Sequence, residues 1–261
     1  MIGGIDLYKN VKANIFLKEM FGMDHDLFAE TVIATPIWNL NDFRNEADKV
    51  LAEFKGWYKG ITIEYQGKPI TIVNSGIGAP LSGDCILAMA HSSIVKNIIF
   101  SGSAGAVNPE YKIGDIIFAD QSVMGEGYSR YIRNFEIDCF GKVSHGSNEY
   151  SRKLASKASC MIKELGTCLY FGKIFTTDSI LGESREFIDY VEKKECDAIE
   201  MEVSAVFTAA IKANKKACAV LLISDLPLNY RNLFEGLTPM ENKKFEALRI
   251  KIAKLLLEIG I

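Results

Sequence analysis

The 261-residue sequence lacks most of the signals that mark a metalloprotein, a secreted protein or a nucleic-acid binder. Its six cysteines (Cys85, Cys139, Cys160, Cys168, Cys196 and Cys218) include no C-x-x-C pair, and its three histidines (His25, His91 and His145) stand far apart. That scatter gives no metal-ligand spacing and fits reduced, mostly structural thiols in a cytoplasmic protein. The net charge is only −3, so no basic surface for nucleic acid or for a membrane is indicated. No apolar run is long enough to span a bilayer, and Met1–Asp6 carries no basic leader region, so neither a membrane span nor a signal peptide is expected. The dinucleotide fingerprint G-x-G-x-x-G is missing as well, with no acidic ribose reader at the usual distance beyond Gly76 and Gly78. No internal repeat, linker or low-complexity stretch divides the chain, so a single domain over 1–261 is expected, with no metal or organic cofactor.

What is present is an ordinary globular composition, 48% apolar and 24% charged, with enough apolar surface for a sizeable core. Apolar periodicity alternates between short strand-like runs and helical stretches. Strands are expected at 31–35, 61–65, 69–74, 98–100, 113–118, 168–175, 198–201 and 216–224. Helices are expected at 8–22, 39–55, from 79 to about 91, 147–165, 184–194, 203–213 and 242–259. Such alternation implies an α/β domain with a mixed, largely buried central sheet between layers of helices. Between Phe100 and Ile113 lies S-G-S-A-G-A-V-N-P-E-Y-K, read as a small-residue turn between two strands. Residues 123–131, V-M-G-E-G-Y-S-R-Y, read as a glycine-rich loop.

Several short stretches can carry chemistry, and each also has a plain structural reading. Glycines and a serine at 101–106 let backbone N–H groups approach a ligand, or merely pack a turn. Ser75–Pro80 opens a helix after a strand, which is a cradle for an anion or a sugar at Gly78, or an ordinary connection. Ser224-Asp225 ends the most apolar strand, at the edge where open α/β folds bind ligands. A carboxyl group there tends to hold its proton and can act as an acid, or it caps a turn. Glu200-Met201-Glu202 enters a helix. One carboxylate can accept hydrogen bonds from a vicinal diol, or both acids simply complement the helix dipole. Phe175 ends a strand and can stack on a flat base, or sits in the core.

Taken in order, these pieces resemble the nucleoside phosphorylase/nucleosidase superfamily. G-S-A-G-A at 102–106, followed by I-G-D-I at 113–116, resembles its central block. G-K-I-F-T-T-D-S at 172–179 resembles its base-stacking strand, I-E-M-E-V-S-A at 199–205 its ribose motif, and L-I-S-D at 222–225 the ending that carries the general acid of purine-cleaving members. The likeness spans roughly residues 31–225. It implies a three-layer α/β fold and cleavage of the N-glycosidic bond of a purine-like nucleoside, phosphorolytic by descent. By the same resemblance, Glu202 binds the ribose hydroxyls, Met201 packs under the sugar, Phe175 stacks on the base and Asp225 protonates N7 of the leaving purine. Ser103 and a Lys55 reaching in from another subunit are left to hold inorganic phosphate as co-substrate. The family forms homo-oligomers, and residues 1–28 form an N-terminal helical segment that can take part in such an interface.

Three features depart from the family pattern. The arginine of its G-D-P-x-R motif is Trp38, and the arginine two residues before the G-S-x-G block is Phe100. Neither ring can hold a phosphate dianion through charge-assisted bonds. The water-activating glutamate of nucleosidases is also absent, with Asn39 nearby instead. Arg44, Arg130 and Arg231 are candidates to compensate. Gly182-Glu183-Ser184-Arg185 resembles the pyrimidine-reading G-Q-x-R of other members, with Glu183 in the glutamine's place. Besides phosphorolysis, the sequence therefore admits a phosphate-independent nucleosidase and a nucleoside-binding or storage protein without catalysis.

Overall fold

The structure is a computed structural model and describes residues 10–229, 231 and 236–261. Ten strands join one sheet. They are β1 (Thr31–Thr35), β2 (Lys49–Lys55), β3 (Lys59–Tyr65), β4 (Lys68–Asn74), β5 (Asn97–Ala106), β6 (Ile116–Gly125), β7 (Val143–His145), β8 (Leu169–Thr177), β9 (Ala198–Glu200) and β10 (Lys216–Asp225). The helices are α1 (Ala13–Phe21), α2 (Leu40–Glu46), α3 (Ala79–Ala88), α4 (Ser129–Ile132), α5 (Asn148–Glu164), α6 (Arg185–Lys193), α7 (Val203–Ala213) and α8 (Pro239–Gly260). Residues 8 and 9 of the expected first helix lie outside the described residues.

The sheet is mixed. β1 runs parallel to both β4 and β5, and β5 runs parallel to β10, whereas β6 is antiparallel to β10 and β9 to β5. With β6–β8 and β8–β9 also paired, the strands β5, β10, β6, β8 and β9 close into a ring, and β1, β4, β3 and β2 extend from it as an open wing. Side chains of β10 alternate strictly between the two faces. Ala217, Ala219, Leu221 and Ile223 enter a core shared with α1, α3 and α7, while Cys218, Val220 and Leu222 enter one shared with α2, α5 and α8. Burial on both faces explains why this strand reads as one continuous apolar run. The result is the expected three-layer α/β domain.

Three local expectations are corrected. Residues 39–55 are not one helix, because α2 ends at Glu46 and β2 follows. A register shift between Val50 and Ala52 leaves Val50 and Leu51 both outward on an edge strand, and this broken period of two imitates helical spacing. Ser101–Ala106 is not a turn but the second half of β5, with Ser101–Gly105 paired to Val220–Asp225 and Ala106 to Ala198. The chain turns only at 107–115, so the following strand starts at Ile116 rather than Ile113. The glycine-rich loop is likewise shorter than its composition suggests, since β6 continues to Gly125.

Candidate active site

Six chain segments meet around one cavity of about 200 Å³, where β5, β9 and β10 leave the ring, β1 gives way to Pro36, and the turns after β4 and β8 bring in Ile77, Ile180 and Glu183. The last pair of β10 slips against β5 between Ile223 and Asp225, which turns Ser224 and Asp225 toward the cavity edge. The Ser224 hydroxyl donates to Asp225 Oδ1 at 2.7 Å and lies 3.3 Å from the carbonyl of Ala104. Burial pushes the Asp225 carboxyl up to about 6, partly offset by the Ser224 hydrogen bond. Gly105 faces this carboxyl so closely that a Cβ there would lie 3.0 Å from Asp225 Oδ2.

On the opposite side, Glu200 organises the entry to α7. Its Oε2 accepts the backbone N–H of Glu202 at 2.6 Å and of Val203 at 2.8 Å, and its Oε1 accepts the Thr176 hydroxyl. These bonds satisfy donors that a helix start leaves unpaired. They also fix the backbone that carries Met201 and Glu202 into the cavity. Burial raises both the Glu200 and the Glu202 carboxyls, and the charge of Glu202 raises Glu200 further. Glu202 Oε1 accepts the Gly78 N–H at 2.7 Å. Gly78 adopts φ 95°, a backbone region that favours glycine.

The structure brings Ser103, Met201, Glu202 and Asp225 together around this cavity. Three other residues singled out by sequence stand elsewhere. Phe175 is fully buried against Phe187, with ring centroids 5.3 Å apart, and against Phe140 and Tyr190. It sits in the core because its strand is still inside the sheet at that point. From the turn that follows this strand, Ile180 reaches the cavity instead. Gly78 does not line the cavity, because its N–H is engaged by Glu202 and the neighbouring Ile77 takes the lining position. Lys55 lies exposed at the end of the edge strand β2 and lines no part of the cavity of its own chain.

Glu183 does line the cavity. Burial, and after it the charge of Asp225, push its carboxyl up to about 7. Its neighbour Arg185 points away, pairing with Asp189 at 2.9 Å and lying 3.3 Å from the Leu228 carbonyl. The ring of Ile37, Ile77 and Ile180 around the cavity escaped sequence reasoning, since isolated isoleucines in loops carry no periodic signal. Trp38 is buried with its indole N–H on Ser101 Oγ at 2.9 Å, and Phe100 is core. None of the three candidate compensating arginines lines the cavity. Arg44 pairs with Glu53 at 2.8 Å, and Arg231 is tied to Glu241 and to the Gly236 carbonyl. The cavity is therefore lined by four carboxyl groups (Glu183, Glu200, Glu202 and Asp225) and by no cation among the described residues. It suits a neutral, hydrogen-bonding ligand. No three His, Cys, Asp or Glu side chains among the described residues are placed to share a metal ion. No helix among them is long and apolar enough to cross a membrane.

Residues 31–258 match the family model of the phosphorylase superfamily. The chain belongs to that superfamily. Its relatives include the DeoD-type purine nucleoside phosphorylase of Bacillus subtilis, 29% identical over 177 residues (66% of this chain and 70% of the relative). The enzyme of the same name from Thermoanaerobacter sp. strain X514 is 31% identical over 180 residues (69% and 73%). Among solved structures, uridine phosphorylase from Vibrio fischeri superposes with a TM-score of 0.71 at 24% identity, over 91% of this chain and 94% of that one. The 5'-methylthioadenosine/S-adenosyl homocysteine nucleosidase of Campylobacter jejuni superposes with a TM-score of 0.71 at 17% identity, over 88% and 98%. The superfamily fold thus carries both phosphorylases and nucleosidases, and at these identities the structural likeness speaks for the fold.

Proposed function

We propose that the chain cleaves the N-glycosidic bond of a purine-like nucleoside, with inorganic phosphate as the nucleophile and no cofactor. The observation that carries this reading is the convergence of a proton-holding carboxyl, Asp225, and a diol-accepting carboxylate, Glu202, on one cavity with Ser103 and Met201 between them. In the reaction the C1′–N9 bond breaks and its electron pair moves onto the base. Asp225 gives its proton to N7, so the base leaves neutral. A phosphate oxygen forms the new bond at C1′. Glu202 holds the 2′- and 3′-hydroxyls, and its negative charge favours the oxocarbenium-like sugar of the transition state. Names of relatives at 29–31% identity support the purine assignment. The placement of Arg185 outside the cavity supports it too, since no cation is then left to read pyrimidine carbonyls.

One observation favours water over phosphate as nucleophile: no cation lines the cavity itself. Hydrolysis is therefore the second reading. We place the protein in the cytoplasm, where its six free cysteines stay reduced. We assign it a homo-oligomeric state in which Lys55 and the N-terminal segment face another copy. The deciding measurement is base release from purine and pyrimidine nucleosides, 5′-methylthioadenosine included, with and without phosphate. Phosphate-dependent release of purines is expected. Release indifferent to phosphate selects the hydrolytic reading. Tight binding without release at any phosphate level overturns both and makes this a nucleoside-binding protein.

A further inference from the structure

A second chamber, of about 310 Å³, adjoins the cavity and shares Ile37, Ser103 and Ser224 with it. Trp38 lines it, and α8 supplies Asn242, Glu246 and Arg249. Arg249 is the one cation that lines either chamber among the described residues. Glu246 Oε2 accepts its Nε–H at 2.9 Å and lies 2.8 Å from its Nη2 as an ion pair. A guanidinium has five N–H donors, so both on Nη1 and one on Nη2 stay available. The Asn242 backbone N–H is taken by Thr238, but its carboxamide has no hydrogen-bond partner among the described residues, and neither has the Ser103 hydroxyl. A guanidinium, a carboxamide and a hydroxyl thus face a chamber that opens beside Ser103 onto the glycosidic cavity. That donor set suits a small tetrahedral oxyanion.

We infer that this chamber binds inorganic phosphate through Arg249, Asn242 and Ser103, so that the C-terminal helix supplies the positive charge that the sequence lacks at Trp38 and Phe100. Binding stands independently of the proposed reaction; only the use of the bound ion as nucleophile rests on it. Glu246 is the charged group that competes for the guanidinium, which makes the effects of neighbouring substitutions opposite in sign. Loss of Arg249 weakens phosphate binding, and loss of the Glu246 charge strengthens it.

The test is calorimetric titration of inorganic phosphate into the full chain without nucleoside, comparing wild type with Arg249→Met, Asn242→Ala, Glu246→Gln and Lys55→Met. All four positions are at the surface or partly exposed. Circular dichroism checks that each variant is folded. Arg249→Met is expected to weaken binding about tenfold or more and Asn242→Ala by a smaller factor. Glu246→Gln should tighten binding, and Lys55→Met should leave it unchanged. A wild type that binds no phosphate overturns the inference, as does an Arg249→Met variant that binds like wild type or a loss confined to Lys55→Met. Base release measured alongside separates the two readings. Phosphate bound without nucleoside cleavage refutes the proposed function and keeps the chamber; cleavage without phosphate binding refutes the chamber and selects the hydrolytic reading.

Discussion

At the scale of single residues, function and stability pull Asp225 in opposite directions. Its carboxyl is buried and pushed up to about 6, so the folded chain holds a proton that the unfolded chain has already released. Between the ordinary carboxylate range and about pH 6 the native state binds more protons than the unfolded one, and stability falls as pH rises across that window. At pH 7.5 the full penalty applies, at most about 3 kcal/mol. Asp225→Asn keeps the Ser224 hydrogen bond and carries no charge. It is expected to lower purine nucleoside turnover about 10²–10⁴-fold while raising the melting temperature at pH 7.5 by a few degrees. A variant that is slow but no more stable than wild type would mean the carboxylate is already well solvated. Phe175 and Ile180 make the complementary pair. Phe175→Ala should cost about 3–5 kcal/mol in denaturant unfolding, because it empties a packed aromatic cluster, and should leave the nucleoside KM of the folded fraction unchanged. Ile180→Ala should do the reverse, raising KM about fivefold through roughly 1 kcal/mol of lost apolar contact with little change in stability.

At the scale of elements, the small residues of β5 have separate reasons to be small. A Cβ on Gly105 would sit 3.0 Å from Asp225 Oδ2 and 3.1 Å from the Pro227 ring, whereas one on Gly102 would meet nothing closer than 3.7 Å. Gly105→Ala should therefore displace the acid and lower kcat about 10–100-fold, while Gly102→Ala should leave both kcat and the unfolding midpoint nearly unchanged. Equal effects of the two substitutions, read in parallel kinetics and melts, would show that the block is small only for packing. This strand also marks the limit of what the sequence discloses. Elements whose apolar pattern is set by one continuous environment were legible, as in β10, buried on both faces, or α7, whose expected bounds at 203–213 coincide with the observed ones. The positions of Asp225 at the end of β10 and Glu202 at the start of α7 follow from where those elements stop, whereas the roles expected of them came from the resemblance to the family. The glycine-rich half of β5 was not, because its strand conformation is imposed by pairing with β10, 120 residues away in the chain, against a composition that favours turns.

At the scale of the whole molecule, the closed ring of strands and the two-faced core rest on pairings that no local pattern encodes, and the cavity inherits that property. Ile37, Glu183, Met201 and Asp225 come from separate segments and meet only once the strands of the sheet are side by side. The cost of this meeting is a concentration of carboxyl groups. Burial raises Asp225 to about 6 and Glu183 to about 7, and raises Glu200, Glu202 and the separate Asp84 as well. Each holds its proton in the fold to a higher pH than in the unfolded chain, so each lowers stability as pH climbs from about 4 toward 8. The opposing groups act elsewhere on the scale. Glu241, held down to about 2 by Thr238 and Arg231, loses its contribution only in acid, and Lys157 and Lys215, lowered by burial, matter on the alkaline side. The melting temperature without ligand should therefore peak on the acid side of neutrality and decline by several degrees from pH 5.5 to pH 8, measured by calorimetry at constant ionic strength. The double variant Asp225→Asn, Glu183→Gln should flatten that decline. A melting temperature that instead climbs from pH 5.5 to pH 8 in the wild type would mean these carboxyls are stabilised as anions in the fold, and Asp225 would then have no proton to give a departing base.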